Sequence, residues 1–347
     1  MSGLPELTRR RVIIALIVIV LLIVGLYFLL PKLAGLGNTW GQLKHGDPVL
    51  LAVAAVLEMI SVLGYVILFR SVFGRNMPRI DWRASLEIPL AGIAAIRLLS
   101  AAGAGGVAVT AWALRRAGMS GPVIACRMVA SYVIQYSFYL GAMLICGLGL
   151  YYGAFSGGGS FSLLIIPALF SAGAIILVAS MAFLPGDYER RFSQVAKRSK
   201  GRLGRISARL STVPATLGTG VRTAIDVVRE RPIAALGAAM YWGFDIATLW
   251  MSFKAFGQTL PVAVVIMGYF IGTLGSLLPL PGGLGGVEGG MIGAFVAFGV
   301  PAGRAVVGVL AYRAISFWLP TIPGIIGYLR LRVTVRSWQL ADERVDA

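Results

Sequence analysis

The sequence predicts an all-α, polytopic membrane helix bundle in which two glycine-broken segments fold as re-entrant hairpins within an inverted repeat. Three observations lead there. First, 58% of the 347 residues are hydrophobic and only 13% are charged, far from globular usage. Second, Val12 to Leu30 is nineteen residues without a charge, which at about 1.5 Å rise per residue spans the roughly 30 Å hydrocarbon core. Third, 24 of the 31 Lys and Arg fall into five loop or terminal clusters between the apolar segments. The net charge of +17 therefore reports orientation and attraction to an anionic membrane surface, and no nucleic-acid partner is needed to explain it.

The first helix, 12–30, follows Arg9, Arg10 and Arg11, but its apolar run exceeds the roughly 7 to 15 residues of a signal-peptide core and lacks a small-residue cleavage site, so it reads as retained. Apolar stretches then run over Val49–Phe69, Leu86–Leu114, Pro122–Tyr151, Leu163–Leu184, Pro232–Phe256, Pro261–Phe298 and Ala305–Leu329. Two of them are interrupted, at Gly103-Ala-Gly-Gly-Val107 and at Pro279-Leu-Pro-Gly-Gly-Leu-Gly-Gly-Val-Glu288. Glycine costs a helix interior about 1 kcal/mol and proline about 3, so such clusters should unwind the backbone. Unwound backbone at membrane depth must be enclosed by protein or line a wet cavity.

Following the basic loops from one side to the other explains the interrupted segments. If Leu86–Leu114 crossed fully, Arg115 and Arg116 would face outward, against the positive-inside rule. A hairpin that enters and leaves on one side restores the rule, and Pro261–Phe298 must do the same on the opposite side. Each half then reads helix, broken hairpin, helix: a first repeat over 49–151 and a second over 232–329, in a single integral domain with both termini cytoplasmic. A shared GxGGV at Gly103 and Gly283, and Phe138-Tyr-Leu140 beside Phe317-Trp-Leu319, fit that relation. Close helix packing through small residues is the alternative reading of the glycines.

The stretch 188–231 is too short for a core of its own. Tyr188, Phe192, Val195, Leu203, Ile206 and Leu210 form one apolar stripe; Val213, Leu217, Val221, Ala224 and Val228 form a second after a start signal at Ser211-Thr-Val-Pro214. It reads as basic amphipathic helices in the cytoplasmic interface or as a basic linker packed on the bundle.

Catalytic signatures are missing. The single histidine, His45, lies in a short loop, and Cys126 and Cys146 both fall in apolar segments, so no metal, disulfide or cofactor is expected. The ionisable groups at membrane depth are Glu58, Arg97, Arg127, Asp245, Glu288 and Arg313; buried charge in hydrocarbon marks a cavity, a substrate path or an ion pair. Glu288 sits in the first turn of a new half-helix, where it either caps that helix or meets a cationic or hydroxylated headgroup. The amides at Gly103, Gly105 and Gly106, and at Gly282, Gly283, Gly285 and Gly286, are helix N-termini that suit a phosphodiester. Arg127 and Arg313 could contact the same phosphate, or pair with Asp245 or Glu58 as structural bridges.

The run Pro279 to Glu288, followed by Ala311-Tyr-Arg-Ala314, Pro320 and Pro323, and preceded by Gly103 to Gly106 and Leu114-Arg-Arg-Ala-Gly118, resembles the lysylphosphatidylglycerol synthase transmembrane-region family, the flippase-like domain of the bacterial multiple peptide resistance factor, here as a stand-alone member. The first glycine motif has no neighbouring proline, a departure from that pattern. The resemblance implies a multi-pass protein of the bacterial cytoplasmic membrane that translocates or holds a phospholipid or lipid-linked headgroup, and that is no aminoacyltransferase by itself. A homo-oligomer is compatible with it. The alternatives are a membrane-embedded enzyme or accessory subunit acting on a polyprenyl- or phospholipid-linked substrate, which would need Glu58, Asp245 and Glu288 to converge, and a scaffold acting through the basic segment.

Overall fold

The computed structural model describes residues 44–99, 104–183, 202–278 and 283–345. The predicted first helix over 12–30, together with Gly103 and Gly282, lies outside the described residues. These described residues form ten α-helices and one 3₁₀ turn: α1 Pro48–Phe73, α2 Trp82–Leu99, α3 Ala104–Arg116, α4 Gly121–Tyr151, α5 Phe161–Ala182, α6 Arg202–Glu230, α7 Ile233–Ala255, α8 Val262–Thr273, the 3₁₀ turn Leu274–Leu277, α9 Gly286–Ala297 and α10 Ala302–Val345. No strand occurs among the described residues. Among the described residues five helices, α1, α4, α5, α7 and α10, are long and apolar enough to cross a bilayer. These are the uninterrupted apolar stretches of the sequence after the first helix.

The interrupted stretches become helix pairs. With 12 residues each, α8 and α9 reach only about 18 Å, well short of the roughly 30 Å core. They pack antiparallel: Gly268 faces Phe295, Gly272 faces Met291 and Gly275 meets the Gly286 backbone. In the first half, α2 and α3 lie together with Gly92 against Gly106 and Thr110. Positive φ at Gly283 (67°) and Gly285 (85°) turns the chain into α9, a conformation that glycine adopts without a Cβ penalty.

Local chemistry sets the helix ends. Asp47 caps α1, its Oδ1 accepting from the Val49 and Leu50 amides at 2.8 and 3.3 Å, with Pro48 at the first helical position, where its missing N–H costs nothing. Burial divides into two large apolar clusters. One, around Leu68, Ile88, Leu114, Ile134 and Leu331, lies toward the arginine-rich ends of the helices. The other, around Phe253, Phe270, Met291 and Phe295, lies toward the opposite ends.

Two helix contacts organise the bundle. The first joins α1 and α7 at Gly64 and Gly237, where a Cβ on Gly64 would fall 2.7 Å from Met240 Cβ and the Tyr241 nitrogen, and one on Gly237 2.7 Å from the Leu68 nitrogen. The same seam is hydrogen-bonded to one side of the glycines: the Ser61 hydroxyl donates to the Tyr241 carbonyl at 2.8 Å and, two turns further along, the Thr248 hydroxyl to the Ala54 carbonyl at 3.2 Å. Gly64→Ala should accordingly destabilise the protein by about 1–3 kcal/mol through overpacking, read as a lower thermal midpoint in detergent. An unchanged midpoint would show that the seam has slack.

The second contact lays α2 along α10, with Gly324 and Gly327 against Leu90 and Ala94. It is extended by polar links: Thr334 Oγ1 donates to Glu87 Oε2 at 2.7 Å, Arg83 Nε to Glu87 Oε1 at 2.9 Å, and Arg79 pairs with Asp342.

Two boundaries differ from the sequence expectation. The helix expected to end at Leu329 continues to Val345, because Leu331 and Val335 keep packing into the bundle after the apolar run ends. The second amphipathic stripe does not begin a new helix at Ser211–Pro214: α6 runs without a break from Arg202 to Glu230. Its residues Val221, Ala224 and Val227 are buried, and Gly220 packs on Val129 and the Cys126 carbonyl of α4. The stripe found in the sequence is thus a packing face within one long helix.

A candidate midplane site

Charged residues are rare in the helix interiors, and most of those present converge. Glu58 lies near the middle of α1 and Asp245 near the middle of α7, so both sit many ångströms from either helix end. They are 4% and 8% exposed. The α1–α7 seam brings their carboxyl groups against one another. Asp245 accepts from two phenols, Tyr269 of α8 at Oδ2 and Tyr312 of α10 at Oδ1, the latter at 2.8 Å. Glu58 is served differently: its Oε2 has no hydrogen-bond partner among the described residues, a state shared only with Ser316 Oγ of α10 among the buried side-chain oxygens and nitrogens described.

Two arginines complete the group. Arg97, near the end of α2 where the glycine break begins, donates Nη2 to the Ser316 carbonyl at 2.7 Å and Nη1 to the Phe317 carbonyl and to Thr321 Oγ1, the last at 3.2 Å. Its contacts are therefore α10 backbone and a hydroxyl, while Glu58 and Asp245 are the carboxylates within electrostatic reach. Arg313 of α10 donates Nε to Glu288 Oε1 at 2.6 Å, and its guanidinium lies 5.4 Å from the Phe317 ring centroid. Its guanidinium also lies within electrostatic reach of Glu58.

Glu288 has no exposed surface. Its Oε2 accepts from the Gly285 amide at 2.7 Å, so it caps α9 across the turn in the manner of a capping-box glutamate. The nearby Val287 and Gly289 amides donate to the Gly283 and Gly285 carbonyls. Gly283, Gly285 and Gly286 thus make the turn and the close α8–α9 approach, and Glu288 with Arg313 ties that turn to α10.

Among the residues singled out from sequence, the structure gathers Asp245, Glu288, Arg313 and the second glycine turn around one centre, with Glu58 and Arg97. It places Arg127 elsewhere. Arg127 is in the first turns of α4, where Nη1 and Nη2 donate to the Phe73 and Arg75 carbonyls at 3.1 to 3.3 Å, bracing the loop after α1. Gly106 is buried against Ile96 and Gly92, and Gly105 is half-buried in the same turn of α3. Tyr269 and Tyr312 were not legible as site residues, although Tyr312 stands beside Arg313 within Ala311-Tyr-Arg-Ala314. In an apolar helix a tyrosine reads as an interface or core aromatic. No group of three or more His, Cys, Asp or Glu side chains among the described residues could hold a metal ion.

Comparison with known proteins fits this arrangement. The model of the lysylphosphatidylglycerol synthase transmembrane region matches residues 12–324. The chain belongs to that family. Family members similar to it include a UPF0104 membrane protein of Methanothermobacter thermautotrophicus, 28% identical over 328 residues that cover 88% of this chain and 93% of the relative. A further UPF0104 membrane protein of that organism is 31% identical over 46% of this chain and 51% of its own length. One of Methanocaldococcus jannaschii is 34% identical over 30% of this chain and 31% of its own. The family match takes in every residue of this buried charged group, from Glu58 to Thr321. These relatives are archaeal.

Proposed function

We propose that this chain translocates a phospholipid or lipid-linked headgroup across the bilayer, using the cluster of Glu58, Asp245, Arg97 and Arg313 as its midplane station. The observation that carries the reading is the buried Glu58 carboxyl with an oxygen left without a partner at mid-depth in a helix of otherwise apolar character. Hydrocarbon does not tolerate such a group unless it is neutralised, paired or serving a polar ligand. Beside it, two guanidinium groups offer charge-assisted hydrogen bonds to a phosphate. The pairs α2–α3 and α8–α9 act as re-entrant hairpins from opposite faces, related as an inverted repeat, with Arg97 and Glu288 beside their breaks; such broken helices at corresponding places mark transporter binding sites. Both termini are cytoplasmic in this arrangement, and the basic helix α6 rests against the anionic surface.

Reconstitution tests the proposal. Vesicles holding the purified chain should move labelled phosphatidylglycerol between leaflets faster than protein-free vesicles. Arg97→Gln should slow that movement about tenfold or more, the expected loss for a charge-assisted contact of about 1.5–3 kcal/mol, in protein that still elutes as a folded species. Absence of movement for any phospholipid or polyprenyl-linked lipid would sink the reading. Covalent change of the headgroup, read by mass spectrometry, would favour a membrane enzyme in its place.

A further inference from the structure

The midplane cluster carries an uneven set of charges. Three carboxyl groups, Glu58, Asp245 and Glu288, share a buried space with two guanidinium groups, Arg97 and Arg313. One pairing is settled, because Glu288 is bound by Arg313 and by the Gly285 amide. That leaves Glu58 and Asp245 facing one another with Arg97 as the remaining cation, and Arg97 spends its hydrogen bonds on α10 carbonyls and the Thr321 hydroxyl.

Two ionised carboxylates in contact at low dielectric repel strongly, and the usual resolution is one proton between them. The hydrogen bonds indicate which member keeps it. Asp245 accepts phenolic O–H groups at both oxygens, from Tyr269 and Tyr312, an arrangement suited to a carboxylate. Among the described residues Glu58 accepts from no such donor, and its Oε2 has no hydrogen-bond partner. An unpaired carbonyl oxygen of a neutral carboxylic acid is far cheaper to bury than an unpaired carboxylate oxygen. The other titratable group facing Glu58 from α7 is Tyr241, and those from α10 are Tyr312 and Arg313. From α4, Tyr132 and Tyr136 face Tyr65, two turns along α1 from Glu58.

We propose that the Glu58–Asp245 pair is a proton-binding site that holds a single exchangeable proton on Glu58, and that lipid movement through the cluster is coupled to it. With the proton the buried group is neutral, two negative and two positive. The inference rests on the transport reading above and adds the energy source. Its sign follows from the charges. An anionic phosphodiester entering beside the two arginines makes the group more negative and so strengthens proton binding; by reciprocity the proton strengthens phosphodiester binding. The two travel together, and an anionic lipid accumulates in the leaflet facing the more alkaline side.

Two measurements on the full chain test this. Infrared spectra of the protein in phosphatidylcholine nanodiscs at neutral pH should contain a protonated-carboxyl band that is lost in Glu58→Gln and in Asp245→Asn, since either change leaves the remaining charges balanced. In phosphatidylcholine vesicles containing labelled phosphatidylglycerol, an imposed pH difference should tilt the leaflet distribution toward the alkaline side by up to about tenfold per pH unit for one-to-one coupling, beyond protein-free vesicles, and Glu58→Gln should abolish the tilt. A wild-type spectrum without the band, a band that survives in Glu58→Gln, its replacement by sodium at constant pH, or lipid movement indifferent to the gradient would each overturn the proposal. The two readings fail separately. Lipid movement without the band removes the proton site and leaves transport standing, whereas the band without movement of any lipid removes transport.

Discussion

Arg313→Met should destabilise the folded protein by about 3–5 kcal/mol, the loss expected when one partner of a buried ion pair is removed and its counter-ion stays behind. The counter-ion here is Glu288, which has no exposed surface, while the Arg313 side chain is 11% exposed. Water cannot replace the guanidinium at a carboxylate enclosed by α8, α9 and α10. Glu288 would retain the Gly285 amide but lose the cation that pairs with it. The double variant Arg313→Met with Glu288→Gln should recover about half or more of the loss, because glutamine still accepts from the Gly285 amide and carries no charge. Thermal unfolding of the three proteins in one detergent decides it. A double variant no better than the single one would mean that Arg313 matters for packing on Phe317 and not for charge.

Gly275→Val should be at least as damaging, at about 3 kcal/mol or more, and should show as loss of monodisperse protein. A Cβ on Gly275 would stand 2.0 Å from the Gly286 carbonyl oxygen and 2.4 Å from its carbon. Both obstacles are backbone, so no rotamer change relieves them. A neighbouring substitution with the same added bulk, Gly289→Val, provides the control, since nothing lies within 4 Å of a Cβ there. If both variants behaved alike, helix propensity would be the cause and not the close approach.

The crossing helices were legible because hydrocarbon imposes a length and forbids charge: each of α1, α4, α5, α7 and α10 lies on an uninterrupted apolar stretch. The breaks were legible because glycine and proline disfavour helix at any depth. Boundaries were harder where tertiary contact outweighed composition, as in α10, whose amphipathic extension past Leu329 is held by the α2 seam. At the site, the charged members stood out against an apolar background, but their pairing did not. Whether Arg127 or Arg313 met an acid depended on which helix faces meet, and that is fixed by side-chain packing between segments far apart in the chain. Tyr269 and Tyr312 were hidden for a related reason, since a phenol at a polar centre and a phenol in an aromatic cluster have the same sequence appearance.

The seam between α1 and α7 limits how the molecule can open. Hydrogen bonds at Ser61–Tyr241 and Ala54–Thr248 lie on either side of the two acids, and glycine contact at Gly64 and Gly237 follows one turn later. The two helices therefore behave as one stiff post, with both acidic side chains fixed to it. On the transport reading proposed above, access from either leaflet would come from swinging the arginine-bearing helices away from this post. A disulfide introduced across the α1–α7 seam would then leave turnover intact, while one joining α2 to α1 would arrest it.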